Sequence, residues 1–206
     1  MEKLELRLYG LVPYNISPIQ QGIQYGHAKD EYTLRIIDML MNGDTTSEVV
    51  STYVDWLRNW KTYIILNGGT TNIGYDARIG LYDSNTRGTL NLHYQSLKDN
   101  DIFCTAFYEP DLGNQLTGVD FIVDERVFNK EKYPDFDLKN YPQFYDNTDK
   151  LNYREIYKDP MNPLFPNKYN LIGNTHVKPE WDKWVESIGG RKNLFLRTFL
   201  KNFRLA

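Results

Sequence analysis

Lys3-Leu4-Glu5-Leu6-Arg7-Leu8-Tyr9-Gly10-Leu11-Val12-Pro13 runs into Tyr14-Asn15-Ile16-Ser17-Pro18, and this stretch decides how the rest of the chain is read. Leu4, Leu6 and Leu8 alternate with Lys3, Glu5 and Arg7, the period of a strand. Pro13 stops it. Ser17 is a natural helix N-cap, and Pro18 suits the first helical position. A strand over 3–12 therefore leads into a helix predicted over 18–42 and ending at Asn42-Gly43. Its buried face is predicted as Ile19, Ile23, Ala28, Tyr32, Ile36 and Leu40.

Working outward, Asp44 to Ser47 links to a second helix over about 47–59, with Val50, Val54 and Leu57 on one side. Lys61 to Leu66 is β-rich and bounded by Asn67-Gly68-Gly69. A Gly-, Thr- and Asn-rich loop over 67–85 precedes a helix over 87–98. Strands follow over 102–108 and 117–128. The order β-α-α-β-α-β-β predicts an α/β fold over residues 1–128. Its mixed four-stranded sheet is flanked by helices, partly parallel, with an antiparallel final pair at the edge.

Beyond 128 the periodicity stops. Pro134, Pro142, Pro160, Pro163 and Pro166 interleave with Tyr133, Phe136, Tyr141, Phe144, Tyr145, Tyr153, Tyr157, Phe165 and Tyr169. So many aromatics argue against free disorder. Two short helices are predicted over 179–188 and 191–203, split by Gly189-Gly190. Residues 129–206 thus read as an irregular, aromatic-rich and helical extension packed on the domain. Its Tyr and Phe content also suits a homo-oligomer contact.

Composition narrows the function classes. Hydrophobic residues are 41 % and aromatics 15 %, so the core must draw on Tyr, whose buried hydroxyls need partners. The net charge of -3 excludes an overall basic field for nucleic acid. Residues 178–206 carry seven basic and three acidic side chains, net +4, leaving -7 elsewhere. That tail reads first as a solvated amphipathic helix and second as a binder of phosphate or an acidic partner. Cys104 is the single cysteine, which excludes an intrachain disulfide and fits a reducing, cytoplasmic setting. It reads as a small buried hydrophobe. The first residues lack the apolar run of a signal peptide, and no stretch approaches the ~20 apolar residues of a membrane span. His27, His93 and His176 show no metal-ligand spacing, so neither metal nor cofactor is predicted. No Gly-x-Ser-x-Gly elbow exists.

Three constellations can carry chemistry. Gln20, Gln24, His27 and Glu31 share one helical face. Spacing alone reads them as a solvent-facing stripe; two amides, an imidazole and a carboxylate can equally orient a polar ligand and move a proton. Gly68, Gly69, Thr70 and Thr71 follow a strand, as a plain turn or as an anion-binding nest of amides. Glu109-Pro110-Asp111 through Thr117 joins two strands, as turn chemistry or as a carboxylate pair and hydroxyl holding a water.

The strand over 3–12 followed by Gln20-Gln21-Gly22-Ile23-Gln24-Tyr25-Gly26-His27-Ala28 resembles the opening of type II peptidyl-tRNA hydrolases. In that family a strand leads to a helix carrying Lys, Gln and a His-Ala pair in this spacing. The element order is similar too, and Glu109 to Thr117 falls where the family carries acidic and threonine site residues. The resemblance covers about residues 1–127 and implies a divergent, phage-encoded branch. Gln20 stands where the family has a lysine, and a neutral amide cannot bring a full charge to an oxyanion or a phosphate.

The resemblance implies an esterase acting on the bond between a peptidyl group and a ribose hydroxyl, with tRNA or a nucleotide as partner. His27 would activate water, Gln20 and Gln24 would orient the carbonyl, and Glu109 or Asp111 would act as base. Thr117 would hydrogen-bond the reacting group, and the 68–71 loop would meet phosphate. The missing lysine favours the other expectation, a binding module that keeps the cleft without the chemistry.

Overall fold

The computed structural model describes residues 3–71, 88–137 and 178–206. The loop predicted over 67–85 and the aromatic segment over 129–174 therefore lie outside the described residues, apart from 67–71 and 129–137. The chain divides into two compact units, Met1–Glu125 with Phe199–Ala206, and Arg126–Thr198.

In the first unit β1 is Leu6–Val12, α1 Pro18–Met41, α2 Glu48–Asp55, β2 Thr62–Asn67, α3 Thr89–Asp99, β3 Cys104–Glu109 and β4 Gln115–Asp124. The sheet order is β2-β1-β4-β3, with β1 parallel to β2 and both β1 and β3 antiparallel to β4. This is the expected mixed α/β architecture. A parallel pair needs a crossover, which α1 and α2 supply.

Ser17 caps α1 as the sequence predicts, and Gln20 completes a capping box: each side chain bonds the other residue's backbone N–H, at 3.1 and 3.3 Å. The predicted buried face holds at Ala28, Tyr32 and Ile36 and is corrected at Ile19, Ile23 and Leu40. Gln24, Tyr25, Ala28, Tyr32 and Ile36 are buried, whereas Ile19, Ile23 and Leu40 are 79, 49 and 39 % exposed. At 3.6 residues per turn, Ile19 and Ile23 lie about 140–180° around the helix from Ala28. Tyr25 joins the predicted Tyr32 on the sheet-facing arc. Tyr32 stacks on Tyr53 and meets Phe103 edge-on, and Tyr25 meets Tyr63 edge-on, in one cluster with Trp56, Leu6 and Leu8. Two of the buried hydroxyls find partners: Tyr25 donates to the Leu8 carbonyl, and Tyr53 shares a bond with Thr33.

After α2 the backbone makes one π-helical turn, Trp56–Trp60, ending at Lys61 with φ +50°. That turn rotates the buried face, so Trp56 enters the core and the predicted Leu57 is 40 % exposed. Helix α3 covers the opposite side of the sheet. Leu90 there lies close to Gly68 and Leu11, and Tyr9 stacks on Phe121. Residues 199–206 belong to this unit: Phe199 and Phe203 flank His93 of α3. Leu205 bridges Leu66, with Asn67 N–H donating to Arg204 O and Ala206 N–H to Ile65 O.

In the second unit, α4 (Glu125–Phe128, begun by the last residue of the first), α5 (Lys178–Ser187) and α6 (Arg191–Phe199, ended by a residue of the first) are separated by described and undescribed loops. Gly189 and Gly190 break α5 from α6 at φ +92° and +87°, conformations that favour glycine. Arg197, 2 % exposed, donates to the carbonyls of Arg126 and Tyr133 and to the Asp135 carboxylate at 2.9 Å. No helix among the described residues is long and apolar enough to cross a membrane.

Candidate functional site

The site is built where α1 crosses β3 and β4. Two sequence details bring the helix down. Gly118 has no Cβ; one added there would lie 2.7 Å from Ala28 Cβ and 2.8 Å from Gln24 O. The register then slips, with Phe107 opposite Gly118 but Tyr108 opposite Leu116. Thr117 is the extra residue of a β-bulge, the device that re-aims a side chain. Both Gly118 and Thr117 consequently meet the helix.

Thr117 Oγ1 donates to Gln24 Oε1 at 2.6 Å, and Gln24 Nε2 donates to Glu109 Oε2 at 2.6 Å. Thr117 is 1 % and Gln24 8 % exposed, and the Glu109 side chain 14 %. A hydroxyl thus fixes which way the amide points, and the amide fixes the carboxylate at the end of β3. His27 Nδ1 lies 3.9 Å from the same Glu109 oxygen, beyond hydrogen-bond length and within ion-pair range once protonated. That nitrogen is itself without a hydrogen bond. The imidazole rests on Phe107 at 4.6 Å between ring centres, and its side chain is 43 % exposed.

The remaining residues singled out by sequence fall elsewhere. Gln20 spends its side-chain oxygen on the N-terminal cap and is exposed. Glu31 is exposed on α1, and Asp111 is exposed in the 3-10 turn Pro110–Leu112. The amides of the 68–70 loop are occupied within the chain: Gly68 N–H by Val12 O, Gly69 N–H by Asn67 Oδ1, and Thr70 N–H by Thr89 Oγ1. Thr71 Oγ1 donates to Leu116 O, tying the loop to the residue before Thr117. The loop therefore buttresses the bulge.

Compared with protein-family models, curated proteins and solved structures, the chain finds no match.

One polar residue escaped the sequence reading. Asp120 is fully buried on the helix-facing side of β4, beside Gly10 and the Tyr25 ring. Neither carboxyl oxygen has a hydrogen-bond partner. Burial holds its carboxyl well above the usual carboxylate range, against the opposing charge of Lys29. The signal was present: an Asp inside Gly118-Val119-Asp120-Phe121-Ile122-Val123 breaks an otherwise apolar strand. Cys104 is half-buried and its thiol is pushed up to about 12 by burial, which suits an inert side chain.

The arrangement offers an oriented carboxylate with a half-buried imidazole beside it. Such a pair can take a proton from water and return one to a leaving oxygen. Gln24 is committed at both ends of its amide, so its part is to hold Glu109.

Proposed function

We propose that Gln24, His27, Glu109 and Thr117 form the catalytic site of a peptidyl-tRNA hydrolase-like esterase. It would cleave the ester between an acyl or peptidyl group and a ribose hydroxyl. The observation that carries this reading is the Thr117–Gln24–Glu109 relay ending beside His27. The resemblance of the strand and the Gln24–Ala28 segment to that family supports it, as does a residue of each expected type in the cluster. Glu109 takes a proton from water, and the resulting hydroxide adds to the ester carbonyl. The tetrahedral intermediate collapses by releasing the ribose oxygen, which takes a proton from the His27 imidazolium. The products are a carboxylic acid and a free ribose hydroxyl.

The test is release of the acyl group from N-acetyl-aminoacyl-tRNA. Wild type is expected to release it above the buffer rate. Glu109→Gln should lower the rate by about 100-fold or more, with His27→Ala also slower. Wild-type release no faster than buffer ends the reading.

A specific observation favours a second reading. The residue at the family's lysine position, Gln20, is neutral and engaged in the helix cap. We infer that a chain of this kind, such as a phage accessory protein in a host cytoplasm, can keep the cleft to sequester a nucleotide or host factor. Native mass spectrometry of the purified protein separates the two: a nucleotide that co-purifies and leaves unchanged supports sequestration, and one released as a cleaved product supports catalysis.

A further inference from the structure

Asp120 is a buried acid that the relay does not use, and it lies under the same turn of helix. Residues 118 and 120 of β4 share the strand face that meets α1. Gln24 and Ala28 sit over Gly118. The notch over Gly10 is shared by the Tyr25 ring and the Asp120 carboxyl: a Cβ built on Gly10 would strike that ring and lie 2.6 Å from Asp120 Oδ1. The Asp120 side chain has no exposure, and neither of its oxygens has a hydrogen-bond partner. A neutral acid is tolerated there, whereas a carboxylate without water or a counter-charge is far costlier.

The groups that face it come from three elements. β1 opposes it with Gly10, and β3 with Thr105, whose hydroxyl donates to Ala28 O at 3.3 Å. Helix α1 brings Tyr25, Tyr32 and Lys29. Burial pushes both phenols up, so they stay neutral. Lys29 is therefore the cation that acts on Asp120 among the described residues. In the closed arrangement it is engaged elsewhere: Lys29 Nζ stands 2.8 Å from Asp30 Oδ1, and its side chain is 30 % exposed. The four-carbon stem is flexible, so the ammonium can leave Asp30 for the carboxylate it already attracts.

We propose that the Asp120 proton is a latch that seats α1 on the sheet. When the proton leaves to solvent, Lys29 turns inward to the carboxylate and the turn 24–29 rises off Gly118. Gln24 and His27 ride on that turn, so the Thr117–Gln24–Glu109 relay opens with it. Burial holds the proton well above the usual carboxylate range. The closed form therefore persists through that range and gives way as pH rises through the folded value. The latch rests on the geometry of the relay and not on the esterase reading.

Nuclear magnetic resonance follows both ends of the device on the full-length protein, labelled in aspartate carboxyl carbons and glutamine side-chain amides, from about pH 5 to about pH 9. The Asp120 carbon and the Gln24 amide should shift with one shared midpoint while circular dichroism stays that of the folded chain. Asp120→Asn should hold the Gln24 signal still over the whole range. Lys29→Met removes the inward counter-charge and should move the midpoint to higher pH; a midpoint that stays in place refutes the pairing. If Asp120→Asn does not fold, the wild-type and Lys29→Met series decide. A Gln24 amide that stays still while Asp120 titrates overturns the latch. So does an Asp120 that titrates in the ordinary carboxylate range, or one that keeps its proton until the chain unfolds. Acyl release from N-acetyl-aminoacyl-tRNA, where wild type shows it, should fall with the same midpoint; its absence ends the esterase reading and leaves the resonance test standing.

Discussion

Asp120 is, among the described residues, a carboxyl removed from water altogether. A fully buried carboxyl with no hydrogen-bond partner stays neutral in the folded chain. Its folded pKa lies above the unfolded value of about 4. The folded state therefore holds a proton that the unfolded state releases. The stability this contributes is complete below that unfolded value and declines as pH rises toward the folded pKa. Wild-type thermal unfolding should accordingly fall in temperature from about pH 5 upward. Asp120→Asn, which cannot ionise, should flatten that slope whatever it does to the absolute midpoint. Identical slopes for the two proteins would refute the assignment. The same residue shows why the sequence hid it: a carboxylate in a strand is ordinarily solvent-facing, and only Gly10, with room for the Tyr25 ring and the carboxyl, lets it point inward.

Among the elements, α1 and β4 fix the site through their closest approach. Gly118→Ala would drive a methyl into Ala28 Cβ and the Gln24 carbonyl, both on a rigid helix. The expected cost is about 1–3 kcal/mol, and the Thr117–Gln24 bond should open. Chemical denaturation measures the first, and loss of any ligand binding or ester cleavage accompanies the second. A variant as stable as wild type would contradict the packing described. The strand–helix opening was legible because Ser17, Pro18 and the alternation of 4–8 are local signals. The helix face was legible in part. Apolar spacing pointed rightly to Ala28, Tyr32 and Ile36 but also to Ile19 and Ile23, whereas Tyr25 took the core because Gly10 leaves room for its ring. Gln24 read as part of an outer stripe for the same reason. The bulge that turns Thr117 toward it depends on a strand-pairing slip, which no local pattern encodes.

At the scale of the whole molecule, element order was readable and the return of the chain was not. The sequence assigned residues 191–203 to a terminal helix; α6 ends at Phe199 and a 3-10 turn continues over Leu200–Asn202. Residues 204–206 then run beside β2 as part of the first unit. Pairing across that sequence distance leaves no periodic trace. Burial between Phe199 and Phe203 holds the His93 imidazole below its usual range. Deleting residues 203–206 removes Phe203 and the Leu66–Leu205 bridge. The His93 titration followed by NMR should move up toward about 6.5, and the open β2 edge should make the protein aggregate more readily. An unchanged His93 titration would contradict the contact.

The Leu66–Leu205 bridge also sets a clock. The amide of Asn67 waits for the carbonyl of Arg204, 137 positions later (67 to 204). On a ribosome adding about 5–20 residues per second, β2 is finished roughly 7–27 s before its outer edge can be closed. The nascent sheet therefore passes through an interval with one unguarded border, and the speed of translation through residues 68–204 decides how long that interval lasts.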